Sequence, residues 1–144
     1  MIRKDWTLLV ISAAGTRGLS PVQLQKCLFL IGKNLPDEVG ENFYNFVPYN
    51  YGPFDQAIYA DADTLVNEKL VTVTRAAGKT WAYYVITPEG NGAAERIALT
   101  LKPRVRDYIP RVVQWVLQLS FVQLLNAIYQ KYPEYKANSV FVRQ

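Results

Sequence analysis

The chain has no histidine and a single cysteine, Cys27, so its chemistry rests on carboxylates, amines, guanidiniums, hydroxyls and one thiol. Without imidazole there is no Ser-His or Cys-His nucleophile, and the commonest general base is missing. One cysteine supplies no cluster of nitrogen and sulfur ligands for zinc. The carboxylates Asp55, Asp61, Asp63 and Glu68 fall on or beside one helical stretch. Asp61 and Asp63 stand two apart, however, and do not share a helix face, which makes them a poor acid and base pair. Cys27 lies in an apolar stripe, where a thiol behaves as a small buried hydrophobe. No catalytic residue, metal or cofactor is expected.

Residues suited to binding are more evident than residues suited to catalysis. Tyr49-Asn50-Tyr51-Gly52-Pro53-Phe54 is the most distinctive string, with Gly52 freeing the backbone and Pro53 fixing it before a helix. It reads as a rigid turn with aromatic packing, or as a partner surface. Gln25-Lys26 lies beside an apolar stripe and reads as a solvated face, the alternative being a polar contact with a partner. Asp61 and Asp63 read as part of a solvated acidic face.

Positive charge collects elsewhere, on Arg75 and Lys79 and then on Lys102, Arg104, Arg106 and Arg111. These are candidate phosphate contacts, or ordinary solvated surface. The acidic stretch matters here too. In a helix-turn-helix domain that helix would enter the DNA major groove, where Lys and Arg supply most of the affinity, and it carries only Lys69 at its end.

Several elements must position these groups. Trp6, Leu9 and Val10 recur at helical spacing from Asp5 and stop at Gly15. Ser20, Pro21 and Gln23 form a capping box with proline at the first helical position, and Leu19 with Leu24 sits where a hydrophobic staple is needed. That helix buries Leu24, Cys27, Leu28 and Ile31 and ends near Asn34. A long connection follows from Leu35 to Pro53, in which Phe43, Phe46 and Val47 are the only run suited to a short strand. A third helix is expected from about Asp55 to Glu68, with Ile58, Ala62, Leu65 and Val66 inward.

Val71 to Arg75 and Trp81 to Ile86 flank a glycine-containing loop and predict a hairpin. Thr87-Pro88 repeats the cap-then-proline signature and opens a helix burying Ala94, Ile97, Ala98 and Leu101. Beyond Pro103, Ile109, Val112, Val113, Val116 and Leu117 predict one helix. Phe121, Leu124, Leu125, Ile128 and Tyr129 predict another, with Ser120 and Gln123 as a capping box between them. Residues Pro133 to Gln144 show no periodicity.

The 144 residues, half of them hydrophobic and 19% charged, suit one folded domain with a mostly helical α+β fold. Three helices followed by a hairpin is the order of a winged helix-turn-helix. Residues 5–101 would form this winged-helix core and residues 102–144 a helical C-terminal extension. The net charge of +4 is compatible with an anionic partner without specifying one. After Met1 to Asp5 the apolar stretch runs only from Trp6 to Ala14 with no cleavage site of a secretion signal, the apolar run Val112 to Leu125 is broken by Gln114, Gln118, Ser120 and Gln123, and a lone cysteine suits a reducing compartment. A cytoplasmic, non-membrane protein is expected.

Leu24-Gln25-Lys26, followed by Tyr51-Gly52-Pro53-Phe54 and Tyr59, resembles the SocA-like antitoxin family, also called the Panacea domain, over about residues 5 to 100. Tyr132-Pro133, Glu134-Tyr135 and Asn138-Ser139 are similar to a bacterial branch with the same YGPF signature. The resemblance implies a winged-helix-like, non-enzymatic protein of bacterial or phage-related origin that neutralises a toxin by contact or acts as an adaptor. Gln25, Lys26, Tyr51, Gly52, Pro53 and Tyr59 would be signature positions. The helical C-terminus after Pro103 departs from the simplest form of the domain and would serve homodimerisation or a dedicated partner. The expected partner is a protein, met through the YGPF region with Phe54 and the acidic residues Asp61 and Asp63; the alternative is double-stranded DNA.

Overall fold

A computed structural model describes residues 1–75, 78 and 82–140. The expected hairpin positions Lys79 and Trp81 lie outside the described residues. Helix α1 (Arg3–Ala13) starts where the Asp5 carboxylate accepts the Ile2 backbone N–H at 2.9 Å. It buries six consecutive residues, Trp6 to Ile11, so neighbours cover it on more than one side. Helix α2 (Pro21–Asn34) begins as read: Ser20 Oγ accepts the Gln23 N–H and Gln23 Oε1 accepts the Ser20 N–H at 2.9 Å. Leu19 and Leu24, the staple pair, are both fully buried.

The connection after α2 contains more order than its composition suggests. Pro36 opens a single helical turn, α3 (Pro36–Val39), which the sequence reading did not anticipate. Of the strand expected at Phe43, Phe46 and Val47 only Val47 is in one, β1 (Val47–Tyr49), and the antiparallel partner β2 (Gly52–Phe54) is the last three residues of the YGPF string. That string is therefore half of a hairpin rather than only a turn before a helix. Gly52 pairs with Tyr49 across the two-residue turn, and its φ of +89° is a conformation that an L side chain would resist.

Helix α4 (Ala57–Asn67) is shorter than expected at its start, because Asp55 stays outside as a cap, its Oδ1 accepting the Ala57 N–H at 2.9 Å. Strands β3 (Val71–Thr74) and β4 (Tyr83–Ile86) form the second antiparallel hairpin. A backbone bridge ties it to the α1–α2 link, with Leu19 and Tyr84 exchanging N–H···O bonds at 3.0 and 2.9 Å. Thr87 Oγ1 accepts the Gly90 N–H at 2.9 Å to cap α5 (Pro88–Ala98).

Helices α6 (Pro103–Leu117) and α7 (Phe121–Lys131) are joined by the expected Ser120–Gln123 capping box. A single turn at Pro133–Lys136 follows. Val105, Ile109, Val113 and Val116 of α6 and Leu124, Leu125 and Ile128 of α7 belong to the same apolar cluster as α1, α2 and α4. The C-terminal extension thus completes the core. The architecture is α+β and mostly helical, with two small antiparallel hairpins among the described residues. Among those residues no helix is long and apolar enough to cross a membrane.

Candidate functional site

The first hairpin is where most of the singled-out residues meet. Lys26 and Gln25 project from the middle of α2 directly beneath it, with exposures of 2% and 1%. This corrects the expectation of a solvated face. The apolar stripe of α2 faces α1 and α6, while the hairpin covers the polar side and brings backbone groups that need hydrogen-bond partners. Lys26 Nζ donates to the Pro53 carbonyl at 2.9 Å. The Gln25 amide spans both backbone groups of Asp55, donating from Nε2 to its carbonyl at 2.9 Å and accepting its N–H on Oε1 at 3.0 Å.

Asp55 extends this clamp. Its Oδ2 accepts the Asn45 N–H at 2.7 Å while Oδ1 caps α4, so one carboxylate joins the loop before the hairpin to the helix after it. Burial lowers the Lys26 amine to about 7, because a charged ammonium is disfavoured away from water. Gln25, Lys26, Gly52 and Pro53 are all buried and so hold the hairpin instead of presenting side chains to a partner.

The outer edge of the hairpin is pinned by the segment after α7. Val140 N–H donates to the Asn50 carbonyl at 3.0 Å, Ser139 Oγ to the same carbonyl at 3.3 Å, and Asn138 Nδ2 to the Pro48 carbonyl at 3.2 Å. Tyr129 of α7 donates to Ser139 Oγ at 2.7 Å. Gripped on both sides, the hairpin displays aromatic rings. Tyr49 stacks on Phe54 at 4.7 Å, Phe54 meets Tyr59 edge-on at 5.7 Å, and Tyr51 meets Phe121 edge-on at 5.5 Å. Tyr49, Tyr51 and Phe121 remain 50%, 44% and 44% exposed.

The acidic face expected on α4 is divided. Asp63 is exposed, but Asp61 turns toward α1, where Arg3 Nε reaches its Oδ2 at 2.9 Å and Arg3 Nη2 its Oδ1 at 3.2 Å. The Tyr44 hydroxyl donates to Asp61 Oδ2 at 2.5 Å and lies 2.6 Å from Thr7 Oγ1. Burial and the bond to Asp61 hold the Tyr44 phenol above its usual range. Glu68 likewise pairs with Lys4 of α1 at 2.8 Å. Asp61 is therefore a structural ligand for Arg3 and Tyr44, and the expected solvated pair does not exist.

The basic residues are not gathered into one patch. Arg104 is held by the Glu38 carboxylate. Arg106 lies against α1 and α5 beside Ser12 and Ala94, whereas Arg111, on the other side of α6, lies beside α2 and α7. Lys102 and Arg75 are exposed at the ends of α6 and β3. Cys27 is fully buried and its thiol is pushed up by that burial.

Arg3, Thr7 and Tyr44 were missed from sequence because they lie on different elements with no local spacing to connect them. The quoted Asn138-Ser139 pair was the one cue to the outer grip. Among the described residues no group of three or more His, Cys, Asp or Glu side chains could hold a metal ion. Comparison with known proteins finds no matching protein-family model and no matching curated sequence.

Proposed function

We propose that this chain is a non-enzymatic regulatory binding module of winged-helix type, antitoxin-like, acting by contact with a protein. The observation that carries the reading is the presentation of Tyr49 and Tyr51 on a hairpin held from beneath by Gln25 and Lys26, with Phe121 at the start of α7 packed edge-on against Tyr51. Exposed aromatic side chains on a preorganised support give contact area at low entropic cost, the usual basis of a binding hot spot. The YGPF resemblance to the Panacea domain supports a toxin-like or regulatory partner. The bridge between Leu19 and Tyr84 supports a winged helix, with β3–β4 as the wing and α1, α2 and α4 as its three helices.

Tagged full-length protein and its Tyr51→Ala variant, each co-purified from the native host, test the reading. A protein partner retained by the parent and lost from the variant, with unchanged thermal stability, is expected. Equal recovery with both proteins, or no stoichiometric partner with either, overturns it.

Double-stranded DNA is the second reading, favoured by the pairing of Asp61 and Glu68 with Arg3 and Lys4, which leaves α4 less acidic outward than its composition implies. A gel shift against random duplex discriminates. Phosphate-driven binding must weaken steeply with salt, and no shift at low salt removes this reading. A homodimer through α6 and α7 is part of the proposal, and sedimentation at rising concentration tests it.

A further inference from the structure

A groove of about 530 Å³ runs between α2, α6 and α7, on the side of α6 away from Arg106. Its floor is apolar, formed by Val112 at 7% and Ile128 at 1% exposure. Its walls carry flat rings: Tyr108 and Trp115, seven residues apart on one face of α6, and Tyr132 just past the end of α7. Arg111 lies on the same face of α6 between Tyr108 and Trp115, and Lys131 lines the groove from α7. No carboxylate lines it, and among the described residues neither cation is in an ion pair. Arg111 Nε reaches only the Asp107 backbone carbonyl, at 3.4 Å.

We infer that this groove is a binding site for a small organic anion with a flat aromatic body. The volume is that of a small-molecule site, which spans about 300–1,000 Å³ and combines apolar walls with a few convergent polar groups. Rings stack on rings, and the guanidinium fork and the ammonium meet an anionic group. A protein segment fits less well. Apart from Trp115 at 39% exposure, the apolar lining is buried or half-buried inside the groove. A standard protein interface needs about 1,200–2,000 Å² of contact on a broad face. The site lies apart from the Tyr49–Tyr51 surface, so it stands or falls independently of the protein contact proposed there; it shares α6 and α7 with the proposed homodimer.

Calorimetric titration of the full chain with 2-naphthoate tests the assignment, with 2-naphthylmethanol as the neutral isostere and inorganic phosphate as the anion alone. Saturable binding of naphthoate is expected, with the alcohol weaker by about tenfold or more, the size of a charge-assisted hydrogen bond. Phosphate alone should give no saturable heat. Arg111→Gln and Lys131→Gln should each weaken naphthoate toward the alcohol without changing the thermal midpoint. Should either variant fail to fold, the acid-against-alcohol comparison on the parent protein still decides the charge requirement. Equal affinity for acid and alcohol, unaltered binding by both variants, or no saturation by naphthoate overturns the inference. So does binding of a peptide carrying phenylalanine between aspartates where naphthoate does not bind, which would assign the groove to a protein segment.

Discussion

Lys26 Nζ donates to the Pro53 carbonyl at 2.9 Å, joining the middle of α2 to the strand that displays the aromatic hairpin. Lys26 is 2% exposed, so the contact is made away from water.

The lowered Lys26 value sets a pH dependence. From an ordinary 10.5, burial brings it to about 7 in the folded chain. Between these values the unfolded state binds the extra proton, so stability rises with pH across about 7 to 10.5; below about 7 both states are protonated and the burial penalty is fully present. Lys26→Met removes this titration. Urea denaturation at pH 7, 8 and 9 should show the parent gaining on the variant by up to about 1.4 kcal/mol per pH unit. A constant difference would show that Lys26 does not titrate in this window.

Gln25 answers both backbone groups of Asp55; an apolar replacement leaves the Asp55 N–H unpaired, while the carbonyl keeps the Ile58 N–H at 3.2 Å. Gln25→Leu should cost about 1–3 kcal/mol, the range for one unsatisfied group. The denaturation midpoint checks it, and a cost below about 0.5 kcal/mol, the range of ordinary surface changes, would refute the clamp.

Asp61 and Asp63 should behave as opposites although they are two residues apart. Asp61→Ala removes the ion partner of Arg3 and leaves the Tyr44 hydroxyl with Thr7 alone, and should destabilise by roughly 1–3 kcal/mol, whereas Asp63→Ala should stay within about 0.5 kcal/mol. Tyr44→Phe, which removes only the bridging hydroxyl, should fall between them at about 1 kcal/mol. Thermal melts of the three variants give the ranking directly.

Gly90 and Gly92 form a second contrasting pair. A Cβ at Gly90 would clash with the Leu70 carbonyl oxygen, while at Gly92 the nearest atom is the flexible Arg96 Nη1 at 3.5 Å. Gly90→Ala should therefore destabilise by at least about 2 kcal/mol through overpacking. Gly92→Ala should stabilise by about 0.5–1 kcal/mol through helix propensity. Circular dichroism melts that place both on the same side of the parent would contradict the packing of α5 on the α4–β3 link.

Local signals sufficed wherever a few neighbouring residues decide the outcome. Ser20-Pro21-Gln23, Thr87-Pro88 and Ser120-Gln123 each fix a helix start, because a cap is a hydrogen bond spanning about three residues. The apolar spacing of α2, α6 and α7 likewise marked their buried faces, except that Phe121, placed on the α7 stripe, is exposed at the start of that helix. Only tertiary structure decided what the polar residues do. Lys26 and Asp61 looked like solvated charges, yet the hairpin covers one and Arg3 with Tyr44 enclose the other, from 27 and from 58 and 17 residues away in the chain. Periodicity reports which face of a helix is apolar. It carries no record of which distant backbone carbonyl or guanidinium will arrive to bury a polar group, because that pairing is set by long-range packing.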